Sequence, residues 1–145
     1  MTTRYDRPGA PARFANSLIR RLAEAGISIA GTRALVVRGR RTGKPRSVVV
    51  NLLTVDGVDY LVAPRGDTEW VRNVRAAGNV QLGPRWHRRT ARATEVRDED
   101  KPALLHRYLQ RWYWQVKGHM AGLTPDSGAE ALRTAAPAIP VFSLR

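Results

Sequence analysis

Residues 34–53 read ALVVRGRRTGKPRSVVVNLL. Two apolar, β-branched runs, Ala34–Val37 and Ser47–Leu53, flank a polar centre from Arg38 to Arg46. Strand-forming runs broken by a Gly- and Pro-containing turn are the sequence form of a β-hairpin. The turn holds five cations in nine residues (Arg38, Arg40, Arg41, Lys44 and Arg46), together with Gly39, Gly43 and Pro45. Guanidinium forks and outward main-chain N–H groups suit such a turn to gripping an anion. The plainer alternative, a solvated basic hairpin tip, has equal standing on this stretch alone.

The charge of the whole chain bears on that choice. The net charge is +13, and residues 31–92 carry +9 of it, against +3 for residues 1–30 and +1 for residues 93–145. A basic face is therefore expected around the hairpin, facing a polyanionic ligand, nucleic acid or an acidic membrane surface. Only three of the 25 cations are lysine, a bias that genome composition can also produce.

Length and composition exclude several classes. A chain of 145 residues is read as one domain with a core of its own. The absence of cysteine removes disulfides and thiolate chemistry. No apolar stretch approaches the roughly 20 residues of a membrane span, and the polar start MTTRYDRPGAPARF has no signal-peptide core. The expectation is a soluble, cytoplasmic protein.

Outward from the hairpin, residues 1–11 look like a loose arm. Phe14, Leu18, Leu22 and Ala25 then recur at helical spacing among arginines. Such a basic amphipathic helix covers one end of a core or, as the minor reading, makes peripheral membrane contact. After the hairpin, Asp56-Gly57 is a two-residue turn signal between strands Val50–Val55 and Val58–Ala63. Asp67 is placed to N-cap a helix of about ten residues that Gly78 stops. Val80–Leu82 and Arg89–Val96 read as a further strand pair. A long helix is expected from Asp98 with an apolar stripe of Leu105, Leu109, Trp112 and Val116. Ser127 and Glu130 have capping-box spacing for a short helix, and Val141–Leu144 is a last strand. Meandering strands with local turns and peripheral helices favour a small, partly open antiparallel β-barrel. The parts are the arm and helix (1–30), the barrel strands with an inserted helix (31–97), and the C-terminal helices with the closing strand (98–145).

Several chemistries fail on their own terms. The Gly39-to-Lys44 spacing is one residue short of a P-loop, and Pro45 stands where the magnesium-binding hydroxyl belongs. His87, His106 and His119 lie at no metal-like spacing, so no metal is expected and each reads as a surface or half-buried histidine. No Gly-x-Ser-x-Gly elbow appears. With no visible protein nucleophile, an enzyme built on this chain would take its reactivity from a cofactor.

The second informative stretch is Pro64-Arg65-Gly66-Asp67-Thr68-Glu69-Trp70-Val71-Arg72-Asn73. Arg65 lies on a strand-to-helix turn whose N–H groups favour anions. Trp70 and Asn73 are one helical turn apart, so the indole could wall a flat ring while the amide bonds its edge. Equally, Trp70 could be core and Asn73 surface.

Gly39-Arg40-Arg41-Thr42-Gly43-Lys44-Pro45-Arg46, then a strand, an Asp-Gly hairpin and Trp70-x-x-Asn73, together resemble the deazaflavin-dependent nitroreductase family. The match spans roughly residues 31–97, with a looser one ending in Ile139-Pro140-Val141. The resemblance implies a split β-barrel, related to the FMN-binding split barrels, that binds coenzyme F420, with FMN as the alternative cofactor. It implies that Arg40, Arg41, Thr42, Lys44 and Arg46 meet the coenzyme's phosphate and glutamate tail, and that Ser47, Val48, Val49, Val50 and Asn51 run beside the ring system. Val62, Ala63, Pro64 and Arg65 would contact the ring or phosphate, with Trp70 and Asn73 completing the pocket. The implied reaction is hydride transfer to a small electron-poor acceptor such as a quinone, an enone or a nitro compound, with Tyr108, Trp112 and Tyr113 in the region that covers the acceptor. Two readings compete: a non-catalytic binder of this coenzyme or another flat ligand, and a nucleic-acid binder using the arginine face with Trp86-His87-Arg88-Arg89. The second rests on charge alone.

Overall fold

The computed structural model describes residues 32–83, 88–116 and 119–145. The opening stretch folds as the hairpin its pattern dictates. β1 (Thr32–Arg38) pairs antiparallel with β2 (Pro45–Val55), Leu35 opposite Val48 and Val37 opposite Arg46. β3 (Val58–Val62) returns along β2 through Asp56-Gly57, both with positive φ (51° and 79°). Two left-handed residues in succession give a turn whose twist matches that of its strands.

β4 (Asn79–Leu82) and β5 (Arg89–Glu95) form the second strand pair, and β6 (Val141–Leu144) is the last strand. The order is β1-β2-β3-β6-β5-β4, and β4 pairs back onto β1, so the antiparallel barrel closes completely. Local turns alone suggest a partly open barrel. The closure comes from β6, which arrives from the end of the chain and fills the space between β3 and β5.

Strand alternation divides the apolar residues into two clusters. The barrel interior holds Leu35, Val37, Val50, Leu61, Ala63, Val80, Leu82, Ala91, Phe142 and Leu144, drawn from all six strands or their ends. The opposite parity of β2, β3 and β6 supplies Leu53, Val62 and Val141 to an outer core beneath the C-terminal helices.

Three α-helices follow from the expected signals with small corrections. α1 (Glu69–Ala77) seals one end of the barrel with Val71 and Val74, both fully buried in the interior cluster. Burying each is worth about 1.5–3 kcal/mol. Its N-cap is Thr68 rather than Asp67, because the Asp67 carboxylate is taken by Arg75 (Oδ1 to Nη1, 2.9 Å). Gly78 ends the helix, its N–H bonding the Val74 carbonyl.

α2 (Lys101–Val116) begins after a 3-10 turn at Asp98–Asp100, so the acids precede the α-helix proper. The stripe of Leu105, Leu109, Trp112 and Val116 is buried as expected, with Tyr108 beside it. The Lys101 ammonium is buried and satisfied, donating to Asp98 Oδ1 (2.8 Å) and the Ala136 carbonyl (3.0 Å). α3 (Ala129–Ala135) is capped by Gly128 without a side-chain bond. The expected capping box does not form, since Ser127 Oγ instead accepts the Thr124 N–H at 2.8 Å. Among the described residues no helix is long and apolar enough to cross a membrane. The arm and basic helix expected within residues 1–30, and Trp86-His87, lie outside the described residues.

Candidate functional site

Antiparallel pairing brings the site together. The tip of the β1–β2 hairpin, the end of β3 and the start of α1 come to one end of the barrel: β3 runs antiparallel to β2, so its end points back toward the tip, and Arg40 of the tip bonds Asn73 of α1. The tip closes on itself: Gly39 N–H donates to the Lys44 carbonyl (2.8 Å) and Gly43 N–H to the Gly39 carbonyl (2.9 Å). Thr42 Oγ1 accepts the Lys44 N–H (3.2 Å). A Cβ added at Gly39 would sit 3.1 Å from Thr42 Oγ1 and 3.2 Å from the Lys44 carbonyl oxygen, so a side chain there would push the loop by a few tenths of an ångström.

This closure turns Arg41, Lys44 and Arg46 outward. All three are exposed, and none lies within ion-pair distance of an acid among the described residues. Arg40 behaves differently. Its main-chain N–H and its Nη1 both donate to Asn73 Oδ1 (3.1 and 2.8 Å), and Nη1 also meets Glu69 Oε2 at 2.8 Å. The hydrogen bond from Arg40 holds the Glu69 carboxyl below its ordinary range, aided by the charges of Arg40, Arg41 and Arg72. Glu69 is also paired with Arg72 at 3.6 Å.

The turn into α1 is tied on its other side. Gly66 N–H bonds the Ala63 carbonyl (3.1 Å), and Thr68 N–H bonds the Gly66 carbonyl (2.8 Å). Arg75 bridges Asp67 and Glu95, reaching the two Glu95 oxygens at 2.9 and 2.7 Å, and these partners raise its pKa further. Thr68 Oγ1 is buried and has no hydrogen-bond partner among the described residues, so its hydroxyl does not cap the helix. Arg65 is half-buried, with Nη2 3.3 Å from His119 Nε2.

Along β2, Ser47, Val49 and Asn51 lie half-exposed on the outer face, whereas Val48 and Val50 belong to the barrel interior. Val62 and Ala63 are buried, and Pro64 is half-buried. Trp70 is half-buried and packs on the interior cluster, while Asn73, at 6% exposure, is buried. The register of the aromatic residues in α2, which sequence does not set, is now defined. Tyr108 hydrogen-bonds Asn51, and Trp112 Nε1 donates to the Leu52 carbonyl (3.0 Å). Both rings are buried in the outer core, and half-buried Tyr113 packs against it. Burial pushes the Tyr108 hydroxyl pKa up, and the Asn51 bond only partly opposes this.

Two neighbours of the site were not among the residues singled out from the sequence. His119 meets Arg65 across 54 residues with no motif linking them. Glu69 had a clue, since it stands four residues before Asn73 on the same helix face. Of the arginines in the nucleic-acid reading, Arg88 is exposed and Arg89 is paired with Asp59 at 2.9 Å.

The donor set suits a deazaflavin coenzyme: three outward cations on a closed tip match a phosphate and carboxylate tail, and a half-apolar strand face continues from them.

Comparison with solved structures supports the barrel. An F420-H2 dependent reductase (FDR-A) superposes with TM-score 0.55 at 20% identity, covering 79% of this chain and 94% of that one. The Agrobacterium tumefaciens str. C58 protein Atu2129, described as of unknown function, gives 0.57 at 20% identity, covering 97% of this chain and 58% of that one. A chain described as a domain-swapped dimer gives 0.56 at 18% identity, covering 94% and 100%. At such identities the likeness establishes the split-barrel fold. No curated protein matches the chain. The family model of the F420H(2)-dependent quinone reductases matches residues 13–120, about three quarters of the sequence, and so takes in the hairpin, α1 and all of α2. The chain belongs to the F420H(2)-dependent quinone reductase family, as an F420H2-dependent reductase.

Proposed function

We propose that this protein transfers a hydride from reduced F420 to a small electron-poor acceptor (a quinone, an enone or a nitro compound), with the coenzyme held at the hairpin end of the barrel. The observation that carries the reading is the trio Arg41, Lys44 and Arg46, exposed on a self-closed tip with no acid within ion-pair distance among the described residues. Three exposed cations on one tip, with no acid within ion-pair distance among the described residues, have an electrostatic reason to attract a multiply charged anion.

The chain's residues divide by what they can reach. Arg41, Lys44 and Arg46 bind the phosphate and carboxylates of the tail, with Thr42 shaping the loop between them. Ser47, Val49 and Asn51 offer the outer face of β2 to the flat ring system, while Val48 and Val50 hold that strand against the barrel interior. Val62 and Ala63, being buried, contribute main-chain groups at most, and Pro64, Arg65 and Trp70 form the half-buried edge beside them. The coenzyme when bound supplies the hydride; the protein supplies orientation and an environment from which water is partly excluded. Tyr108 and Trp112 pack on the same outer face toward its Leu53 end, fixing β2 through Asn51 and the Leu52 carbonyl, and Tyr113 is the half-buried ring of the three.

FMN remains the alternative cofactor, since its phosphate would call on the same cations. Titration with oxidised and reduced F420 and with FMN, for the wild type and for Arg46→Ala, tests the assignment. Tighter binding of F420, weakened about tenfold by the substitution, is expected for loss of one charge-assisted contact. Equal affinities in the two proteins would refute the hairpin site. Coenzyme oxidation monitored with a panel of quinones, enones and nitro compounds then defines the acceptor, and binding without turnover of any would favour the non-catalytic reading.

A further inference from the structure

We propose that Arg40 and Asn73 form a positioning pair that seats the basic hairpin on α1, and that Arg40 is not one of the cations that hold the coenzyme. The proposal rests on the reading that the neighbouring hairpin cations bind the coenzyme tail.

The geometry separates Arg40 from its neighbours. Asn73 Oδ1 accepts two hydrogen bonds, from the Arg40 main-chain N–H (3.1 Å) and from Nη1 (2.8 Å). A carbonyl oxygen has two lone pairs, so this acceptor is used up. Both donors are N–H groups, so the amide must present its oxygen to Arg40, and its orientation follows from the network. Asn73 thus has no oxygen left for the edge of a bound ring. Both N–H groups of Nη1 are also committed, one to Asn73 Oδ1 and one to Glu69 Oε2 at 2.8 Å, and the Glu69 charge offsets that of Arg40. Arg41, Lys44 and Arg46 carry no such commitment among the described residues.

What the pair holds is main chain. The Arg40 N–H is a backbone group at the tip of a hairpin that otherwise bonds mainly to itself, and Asn73 is a buried residue in the middle of α1, 33 positions away. Through α1 the tip is referred to Val71 and Val74 in the barrel interior. Asn73 and Glu69 lie four residues apart on one helix face, so a single helical turn supplies both acceptors. The pair therefore sets the direction in which the tail-binding cations project, and holds them there before the coenzyme arrives, which lowers the entropy cost of binding.

Two measurements test this. Amide hydrogen exchange without coenzyme compares the wild type, Asn73→Leu and Asn73→Asp. Faster exchange of the Arg40 N–H in Asn73→Leu, restored in Asn73→Asp because the acceptor oxygen returns, is expected; unchanged exchange in Asn73→Leu overturns the proposal. F420 affinity as a function of salt then compares Asn73→Leu, the charge-balanced double variant Arg40→Gln/Glu69→Gln, and Arg41→Gln. Asn73→Leu and the double variant are expected to bind about tenfold more weakly with the wild-type salt dependence, because positioning is lost and net charge is not. Arg41→Gln should bind more weakly with a shallower salt dependence. A double variant whose salt dependence flattens like that of Arg41→Gln overturns the proposal, and it remains a test should Asn73→Leu fail to fold. If Arg41→Gln leaves affinity unchanged, the tail-binding reading fails instead, while the exchange experiment still decides the pair.

Discussion

Replacing Thr68 by valine should make this protein more stable, although it removes a hydroxyl from a helix N-cap. Threonine at that position ordinarily accepts a hydrogen bond from the first turn, worth about 1 kcal/mol. Here the cap makes no such bond: the residue is extended (φ −73°, ψ 173°), and Oγ1 is buried with no hydrogen-bond partner among the described residues. A buried, unpaired polar atom costs about 1–3 kcal/mol of desolvation. Valine has nearly the same shape, fits the same extended backbone, and carries a methyl group where the hydroxyl was. There is no cap energy to lose and a desolvation penalty to recover, so Thr68→Val should gain about 1 kcal/mol, near the lower end of the range. For a domain of this size that corresponds to a rise in Tm of about 2–4 °C. Urea denaturation at neutral pH reads the change as a higher midpoint at unchanged slope. A loss of about 1 kcal/mol would refute the reasoning, because it would mean the hydroxyl is capping the helix after all. Thr68→Ser is the control; it keeps the unpaired hydroxyl and should show no gain.

Arg75→Ala should destabilise by about 2 kcal/mol, because it strips the partner from the nearly buried Asp67 carboxylate, whereas Glu95→Ala removes only the more exposed arm and should cost under about 1 kcal/mol. Urea midpoints of the two variants, measured side by side, check the ranking. Tyr108 should make stability sensitive to alkali. Burial raises its folded-state pKa above the ordinary 10.0, so its contribution is complete below that pH and is lost as pH rises past it, where only the unfolded chain releases the proton. Urea midpoints followed from about pH 8 to about pH 11 should fall for the wild type and fall less for Tyr108→Phe. Gly39→Ala should weaken F420 binding by severalfold with little change in stability, since the added Cβ presses on the Lys44 carbonyl, a main-chain atom that cannot rotate away. Coenzyme titration alongside thermal melting separates the two effects.

Much of the barrel was legible in the sequence, and for a local reason. The β1–β2 hairpin, the Asp56-Gly57 turn, the Gly78 helix stop and the buried stripe of α2 each arise from residues that are neighbours in the chain, so period and turn chemistry reveal them. Where local signals compete, the reading slipped by a residue or lost a cap. Asp67 has the side chain of an N-cap but is claimed by Arg75, and Ser127 has the spacing of a capping box but bonds backward to Thr124. Nothing local reports such rival partners. The cations of the hairpin were equally plain, but which of them are available was not.

That last division marks the boundary. By itself the sequence determined the strands, the helices, the concentration of positive charge between residues 31 and 92, and the paired motifs that connect them with a deazaflavin-binding family. Only the tertiary structure decided that β6 closes the barrel, that Tyr108 and Trp112 pack on the outer face of β2, and that Arg40 is tied through Nη1 to Asn73 and Glu69 while Arg41, Lys44 and Arg46 face outward. The physical reason is that a charge acts through its nearest partner, and partners 33 residues apart become neighbours only once the strands between them have paired.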